Sequence, residues 1–359
     1  MTRFNGLRPV APAMLIVLML SACETMAPVA TGPAVVPAIP VDTGPVISPR
    51  IAAAAESLTK LAAMQDRLYR VAAPLLINNA ELCKGYARNL LGFTARNRYW
   101  YPGEYNEAAQ VAFGMGERLQ VTGVLAGSGA ARAGLRRGDT LISANGKMLP
   151  TGPQASSSAG AVFGPLVATK AALDMQIERE GKSRELNIPV TRACAFAIEL
   201  GNADNINSYA DGTRVMVTRG MLHFAQSDAE VAVLLAKGMA HNVLNHPTLM
   251  RSTATLSSMV DNLALVRPDT SMLVGSGGIK ATPAEMDAVA DGLSLYMLAR
   301  AGYSIDAAAP FWKRLAATYP ASILNGYVAN HPATAARLAA IEKTSADIKT
   351  KGSKKPPAR

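Results

Sequence analysis

Ser227-Asp-Ala-Glu230-Val-Ala-Val-Leu-Leu-Ala-Lys237-Gly238-Met-Ala-His241-Asn242 is the stretch on which the reading of this 359-residue chain turns. Ser227 and Glu230 have the spacing of a capping box, so a helix begins there. Val231, Val233, Leu234, Leu235, Met239, Val243 and Leu244 fall on several of its sides, the pattern of a buried helix. Lys237 and His241 lie one turn apart and share a face. An ammonium and an imidazole therefore point the same way from a helix with little access to water.

Before this helix, Asn205 to Gly220 holds two short strand-like runs separated by Asp211-Gly212. After it, Thr282-Pro283-Ala-Glu285 is a second capping box with proline at the first helical position, and Asp287 and Asp291 share a face of the helix it starts. Upstream, Leu119 to Gly146 reads as strand, short helix, turn, strand and hairpin, with Asn145-Gly146 as the two-residue turn. Leu173, Met175 and Ile177 alternate, Glu180-Gly181-Lys182 turns, and Leu186, Ile188 and Val190 alternate again. The Gly- and Ser-rich run from Gly152 to Gly164 reads as a loop. The opening helix or helices of the body carry Leu58, Leu61, Met64, Leu68, Val71 and Leu75 at helical spacing.

The run Ala130-Ala-Arg-Ala-Gly-Leu-Arg-Arg-Gly-Asp-Thr-Leu-Ile142 resembles a PDZ domain of bacterial envelope proteases, over about residues 108–192. That resemblance implies binding of an extended peptide along an open sheet edge, its carboxylate held by backbone amides. Phe113-Gly114-Met115-Gly116 is the candidate carboxylate loop. Its alternative is a plain glycine turn before a strand.

Residues 194–345 resemble the zinc metallopeptidase family of HtpX, the BepA-like periplasmic proteases and the CAAX prenyl endopeptidases. The motifs are Asn207-Ser-Tyr-Ala-Asp-Gly212, Thr218-Arg-Gly-Met-Leu222, Ala240-His-Asn242, Leu295 to Tyr303, and His331-Pro-Ala-Thr-Ala-Ala-Arg337. In that family a helix carries H-E-x-x-H: two histidines bind zinc, a later glutamate is the third ligand, and the first glutamate takes a proton from the metal-bound water. By resemblance Lys237 stands for the first histidine, Gly238 for the catalytic glutamate and His241 for the second histidine. Asp287 stands at the third ligand and Asp291 at a family aspartate, while His331 and Arg337 match groups that steady the tetrahedral intermediate. An ammonium must lose its proton before it can donate to a metal, and aspartate is one methylene shorter than glutamate.

The N-terminus has Arg3 and Arg8, an apolar run from Val10 to Leu20, and Leu20-Ser-Ala-Cys23, the parts of a lipoprotein signal. The run is shorter than the ~20 residues of a membrane span. The run resembles the lipobox of bacterial lipoproteins, and that resemblance implies cleavage before Cys23, lipidation of Cys23 and, from Glu24 after it, sorting to the outer membrane. The expected location is the periplasm, lipid-anchored. Residues 1–22 carry two arginines and no acid, so removing them lowers the net charge from +10 to +8. That excess is dispersed, with no interleaved aromatic groups, and no nucleic-acid partner is expected. Cys83 and Cys194 remain as an even pair in an oxidising compartment, read as a disulfide, with two buried thiols as the alternative.

The expected fold class is α+β: a mostly helical zincin-like (gluzincin) peptidase domain with a small sheet, and an inserted β-rich PDZ domain. The expected divisions are a signal at 1–22, a Pro/Ala-rich tether at 23–50, a helical segment at 51–107, the PDZ domain at 108–192, the peptidase-like domain at 193–345 and a basic disordered tail at 346–359. Two functions follow. One is a non-catalytic relative that binds extended peptides or envelope proteins as chaperone, adaptor or regulator, with zinc absent or weakly held. The other is a residual zinc endopeptidase in envelope protein quality control, with His241, Asp287 and His331 holding metal and Arg337 steadying the oxyanion. Lys237 is expected to act as a substitute cation that pairs with Asp287 or Asp291.

Overall fold

A computed structural model describes residues 47–253, 284–319 and 335–353. The signal, Cys23, the tether up to residue 46, the capping residues Thr282 and Pro283, and His331 lie outside the described residues. Among the described residues no helix is long and apolar enough to cross a membrane.

The fold mixes helices with three sheets. Helix α1 (Pro49–Asn78) has Ser48 as N-cap, whose hydroxyl accepts from the Ile51 amide, and proline at its first position. Strands β1 (Ala87–Leu90) and β8 (Thr191–Cys194) pair antiparallel, with Ala87 opposite Cys194. They tie together the two ends of everything between them, and the Cys83–Cys194 disulfide fastens the same place. A domain can be inserted there because its entry and exit strands are neighbours.

The inserted region is an antiparallel sheet of β2 (Phe93–Arg96), β3 (Gln120–Val124), β4 (Thr140–Ala144), β6 (Ala172–Arg179) and β7 (Lys182–Pro189) in that order, with β5 (Lys147–Met148) paired to β4. Asn145 and Gly146 both take positive φ in the β4–β5 hairpin, as its type requires. Short α3 (Gly129–Arg132) and α4 (Ala155–Thr169) accompany the sheet. Its core holds Leu119, Val121, Leu141, Leu173, Met175, Ile177 and Ile188.

Three expectations change here. The sheet begins at β2, inside the segment assigned to 51–107, so the boundary at 108 is too late. Residues 155–164 are helix rather than loop: small residues allow a helix there, and Phe163 and Leu166 anchor it in the sheet's core. Phe113-Gly114-Met115-Gly116 ends a helix rather than forming a free loop before a strand. Phe113 ends α2 (Glu104–Phe113), Gly114 takes φ 65° as its left-handed C-cap, and Met115 is buried with Ile51, Ala55 and Leu58 of α1.

The second half has a small sheet, β10 (Ser208–Ala210), β11 (Arg214–Thr218) and β9 (Ala197–Gly201), with β9 parallel to β11. Around it lie α5 (Arg219–Phe224), α6 (Asp228–Val243), α7 (His246–Thr253), α8 (Ala284–Arg300), α9 (Ala308–Thr318) and α10 (Ala335–Lys351). Helix α6 is the buried centre of the largest core. Helix α10 runs to Lys351 and buries Ile348, so the stretch assigned to a disordered tail from 346 begins as helix.

Candidate functional site

Helix α6 is fixed at both ends. At the start Ser227 Oγ accepts from the Glu230 amide at 3.3 Å, and Glu230 Oε2 accepts from the Gln226 amide at 2.7 Å, a capping box whose return arm is displaced by one residue. At the other end Asn242 donates from Nδ2 to the Arg214 carbonyl at 2.9 Å and accepts from the Gly212 amide at 2.7 Å, which sews α6 to β11. The face bearing Lys237 and His241 is thereby held towards α8.

Lys237, 3% exposed, brings Nζ within 3.1 Å of Asp287 Oδ1 and 3.6 Å of Asp291 Oδ1. Asp287 is 1% and Asp291 3% exposed. The expected pairing of Lys237 is therefore present. Arg337, from α10, donates to both Asp291 oxygens, Nε to Oδ2 at 2.5 Å and Nη2 to Oδ1 at 2.9 Å, a bidentate clamp. Both cations lie against the Trp312 ring of α9: Lys237 Nζ is 4.7 Å and Arg337 Cζ 4.6 Å from its centroid. Among the described residues, two cations thus face two carboxylates.

His241 Nε2 lies 3.2 Å from Asp287 Oδ1, and its Nδ1 is 3.0 Å from Nδ1 of His246. Burial pushes the His241 pKa down, aided by the nearby Lys237, and outweighs the raising effect of Asp287 and Asp291. A neutral His241 that keeps its proton on Nε2 towards Asp287 leaves Nδ1 as acceptor, so His246 donates from its own Nδ1. Neither His246 nor Trp312 was singled out from the sequence. The spacing of His246, five residues past His241, was the available signal for the first.

Gly238 points away from this cluster. A Cβ added there would lie 2.5 Å from Val215 Cγ1 of β11, so a larger residue at this position requires β11 or its side chain to shift. The described donors do not fit a zinc ion. The position of the first metal-ligand histidine, by resemblance, is an ammonium seated near two carboxylates, and Asp287 Oδ1 is shared between Lys237 and His241. Among the described residues no group of three or more His, Cys, Asp or Glu side chains is arranged to hold a metal.

A second feature lies in the inserted region and its border. A cavity of about 1120 Å³ is walled by β2 with Leu90, Leu91 and Gly92, by α4 (Gly160, Phe163, Gly164, Val167), and on the far side by Tyr69 of α1 and Ile198 and Leu200 of β9. Two strand edges line it. The β9 edge is closed by the Gln65 carboxamide, which donates to the Ile198 carbonyl at 3.0 Å and accepts from the Leu200 amide at 2.9 Å. Strand β2 ends the sheet order, and among the described residues no strand pairs with its outer edge. Phe113-Gly114-Met115-Gly116, the loop that the sequence suggested for a peptide carboxylate, is not among the residues that line this cavity.

Residues 168–345 match the model of peptidase family M48. No curated protein matches the chain. Among solved structures, the crystal structure of the HtrA3 PDZ domain bound to a phage-derived ligand (FGRWV) is 16% identical, covering 30% of this chain and 88% of that one with a TM-score of 0.24.

Proposed function

We propose, from the premise that residues 168–345 match peptidase family M48, that this protein is a non-catalytic relative of those enzymes that binds extended peptides or envelope proteins. The observation that carries the reading is Lys237 Nζ at 3.1 Å from Asp287, where the family's chemistry needs a neutral donor on a metal. The position of the general base is a glycine packed against Val215. Loss of such a base alone costs on the order of 10²- to 10⁴-fold, and here the activated water has no metal to generate it.

What remains for the protein to do is to bind. An extended chain added to the outer edge of β2 gains main-chain hydrogen bonds and lays alternate side chains against Phe163 and Val167 of α4. The inserted region is read as PDZ-like on this ground and on its sequence motif. The lipoprotein signal supports a location in the periplasm, anchored through Cys23, where the ligands are envelope polypeptides and the role is that of chaperone, adaptor or regulator.

Zinc content and casein cleavage of the purified protein test the non-catalytic reading together. The expected result is zinc far below one equivalent and no cleavage. Stoichiometric zinc with cleavage that stops on chelation would establish the residual endopeptidase instead.

A further inference from the structure

We propose that the groove beside β2 selects acidic segments: its occupant is an extended polypeptide whose apolar stretch lies along β2 and whose flanking aspartates or glutamates meet Arg88, Arg192 and Arg96. The inference rests on the reading of β2 as a peptide-binding edge, and names the chemistry of the peptide.

Five charged side chains line the cavity, Arg88, Arg96, Arg192, Arg214 and Glu199, so its wall is cationic. Arg214 is already engaged, since it pairs with Asp211 and lies 3.3 Å from Glu199, the acid of the wall. Among the described residues the other three arginines form no ion pair. Arg88 donates to the Ala87 carbonyl at 2.9 Å, and Arg96 lies over the Trp100 ring with Cζ 4.3 Å from its centroid. One carbonyl or one ring face leaves most of a guanidinium's five donors for a ligand. The ring also holds Arg96 in place, so less side-chain freedom is lost when a carboxylate arrives.

The positions matter as much as the charge. Arg88 and Arg192 stand on β1 and β8, the antiparallel pair that leads into and out of the inserted region, with Arg192 opposite Asn89. Arg96 is the last residue of β2. Cations therefore stand before and at the end of the open edge, and between them the wall is apolar, with Leu90, Leu91 and Phe93 on one side and Phe163 and Val167 of α4 on the other. A four-residue strand is about 13 Å long, so a ligand that covers it carries its flanking residues to both cationic ends. Carboxylates there gain paired hydrogen bonds from guanidinium groups, and a basic cleft concentrates acidic chains before contact. A neutral segment gains neither.

The test is fluorescence polarisation of the full chain with labelled peptides that share one apolar core and are flanked by glutamate or by glutamine. Both are amidated at the C-terminus, so only side-chain charge differs. The glutamate peptide is expected to bind about fivefold or more tightly at low salt, and the difference should shrink as the screening length falls from about 10 Å at 0.1 M towards ~3 Å at 1 M. Arg96→Gln and the double variant Arg88→Gln/Arg192→Gln should each lower affinity for the glutamate peptide about two- to fivefold and leave that for the glutamine peptide unchanged. Unfolding midpoints verify that each variant is folded, and either one carries the test if the other is not. Equal affinity for the two peptides overturns the proposal while the peptide-binding reading stands, and no binding of either overturns both. Unchanged affinity in both variants overturns it as well. So do phosphatidylglycerol vesicles that displace the glutamate peptide and lose the chain on Arg96→Gln, since the arginines then serve a lipid surface.

Discussion

The cluster around Lys237 and the groove beside β2 are opposites in how they treat polar groups. In the first, ammonium, guanidinium, imidazole and two carboxylates lie within ion-pair distance of one another in near-complete burial. In the second, a strand edge borders a cavity of about 1120 Å³ and the neighbouring edge is closed only by the Gln65 side chain. On the reading proposed above, the first is kept as structure and the second is where recognition takes place, since a strand edge that no described strand pairs with has a row of donors and acceptors to offer.

The largest effect should come from breaking the closed cluster at its most shared member. Asp291 accepts both hydrogen bonds of the Arg337 clamp and lies 3.6 Å from Lys237. Asp291→Ala leaves one carboxylate facing two buried cations, and the expected loss is about 3–5 kcal/mol in urea or thermal unfolding. A loss below ~1 kcal/mol, the level of an exposed pair, would contradict the burial seen here.

Much of this cluster could be read from the sequence, because its residues follow local rules. The capping box placed α6, the i to i+4 spacing placed Lys237 and His241 on one face, and the same spacing aligned Asp287 with Asp291. The Cys83–Cys194 bridge followed from parity and compartment. What escaped depends on contacts between distant segments. Trp312 reaches the cluster from α9, and Val215 meets Gly238 from β11, and neither leaves a local pattern. The helix end at 113–114 was read as a loop because a Gly-x-Gly serves equally as a helix stop, which is its use at Gly114. Strand β2 is only four residues long, too short to show alternation, and α4 is rich in Gly and Ser, the composition of a loop.

The next effect concerns the neighbour of Lys237. Because a Cβ at Gly238 would sit 2.5 Å from Val215 Cγ1, Gly238→Ala should cost about 1–3 kcal/mol by overpacking, and Val215→Ala in the same chain should recover part of it. Restoring His and Glu at 237 and 238 is then expected to destabilise the protein before it can restore cleavage. Unfolding midpoints of the three variants check this. An unchanged Gly238→Ala would mean that β11 yields easily and the base position is still open.

For the groove, Gly164 of α4 lines the cavity and has nothing within 4 Å of an added Cβ. Gly164→Trp should fill the space without strain, leave unfolding unaffected, and weaken binding of a labelled apolar peptide about tenfold or more, ~1.4 kcal/mol. Fluorescence polarisation measures it. Equal affinity in the variant would move the peptide site away from β2 and α4.

The smallest effect is a dependence on pH that separates the two regions again, since only the buried cluster contains a histidine with a lowered pKa. His241 faces Lys237, Asp287, Asp291 and His246, and burial holds its folded pKa below the ordinary value near ~6.5. Above about pH 6.5 both folded and unfolded chains carry it neutral, and stability is at its full value. As pH falls through that point the unfolded chain takes up a proton that the folded chain refuses, so stability declines by at most about 1.4 kcal/mol per pH unit down to the folded pKa. The carboxylates held low by arginine, Asp228 beside Arg67 and Glu230 beside Arg314, act in the same direction only nearer their ordinary range of about 4. Melting curves between pH 5 and 8 should therefore slope for the wild type and flatten for His241→Gln. Peptide binding at the groove should show no such slope over the same range, and a shared slope would couple the two sites.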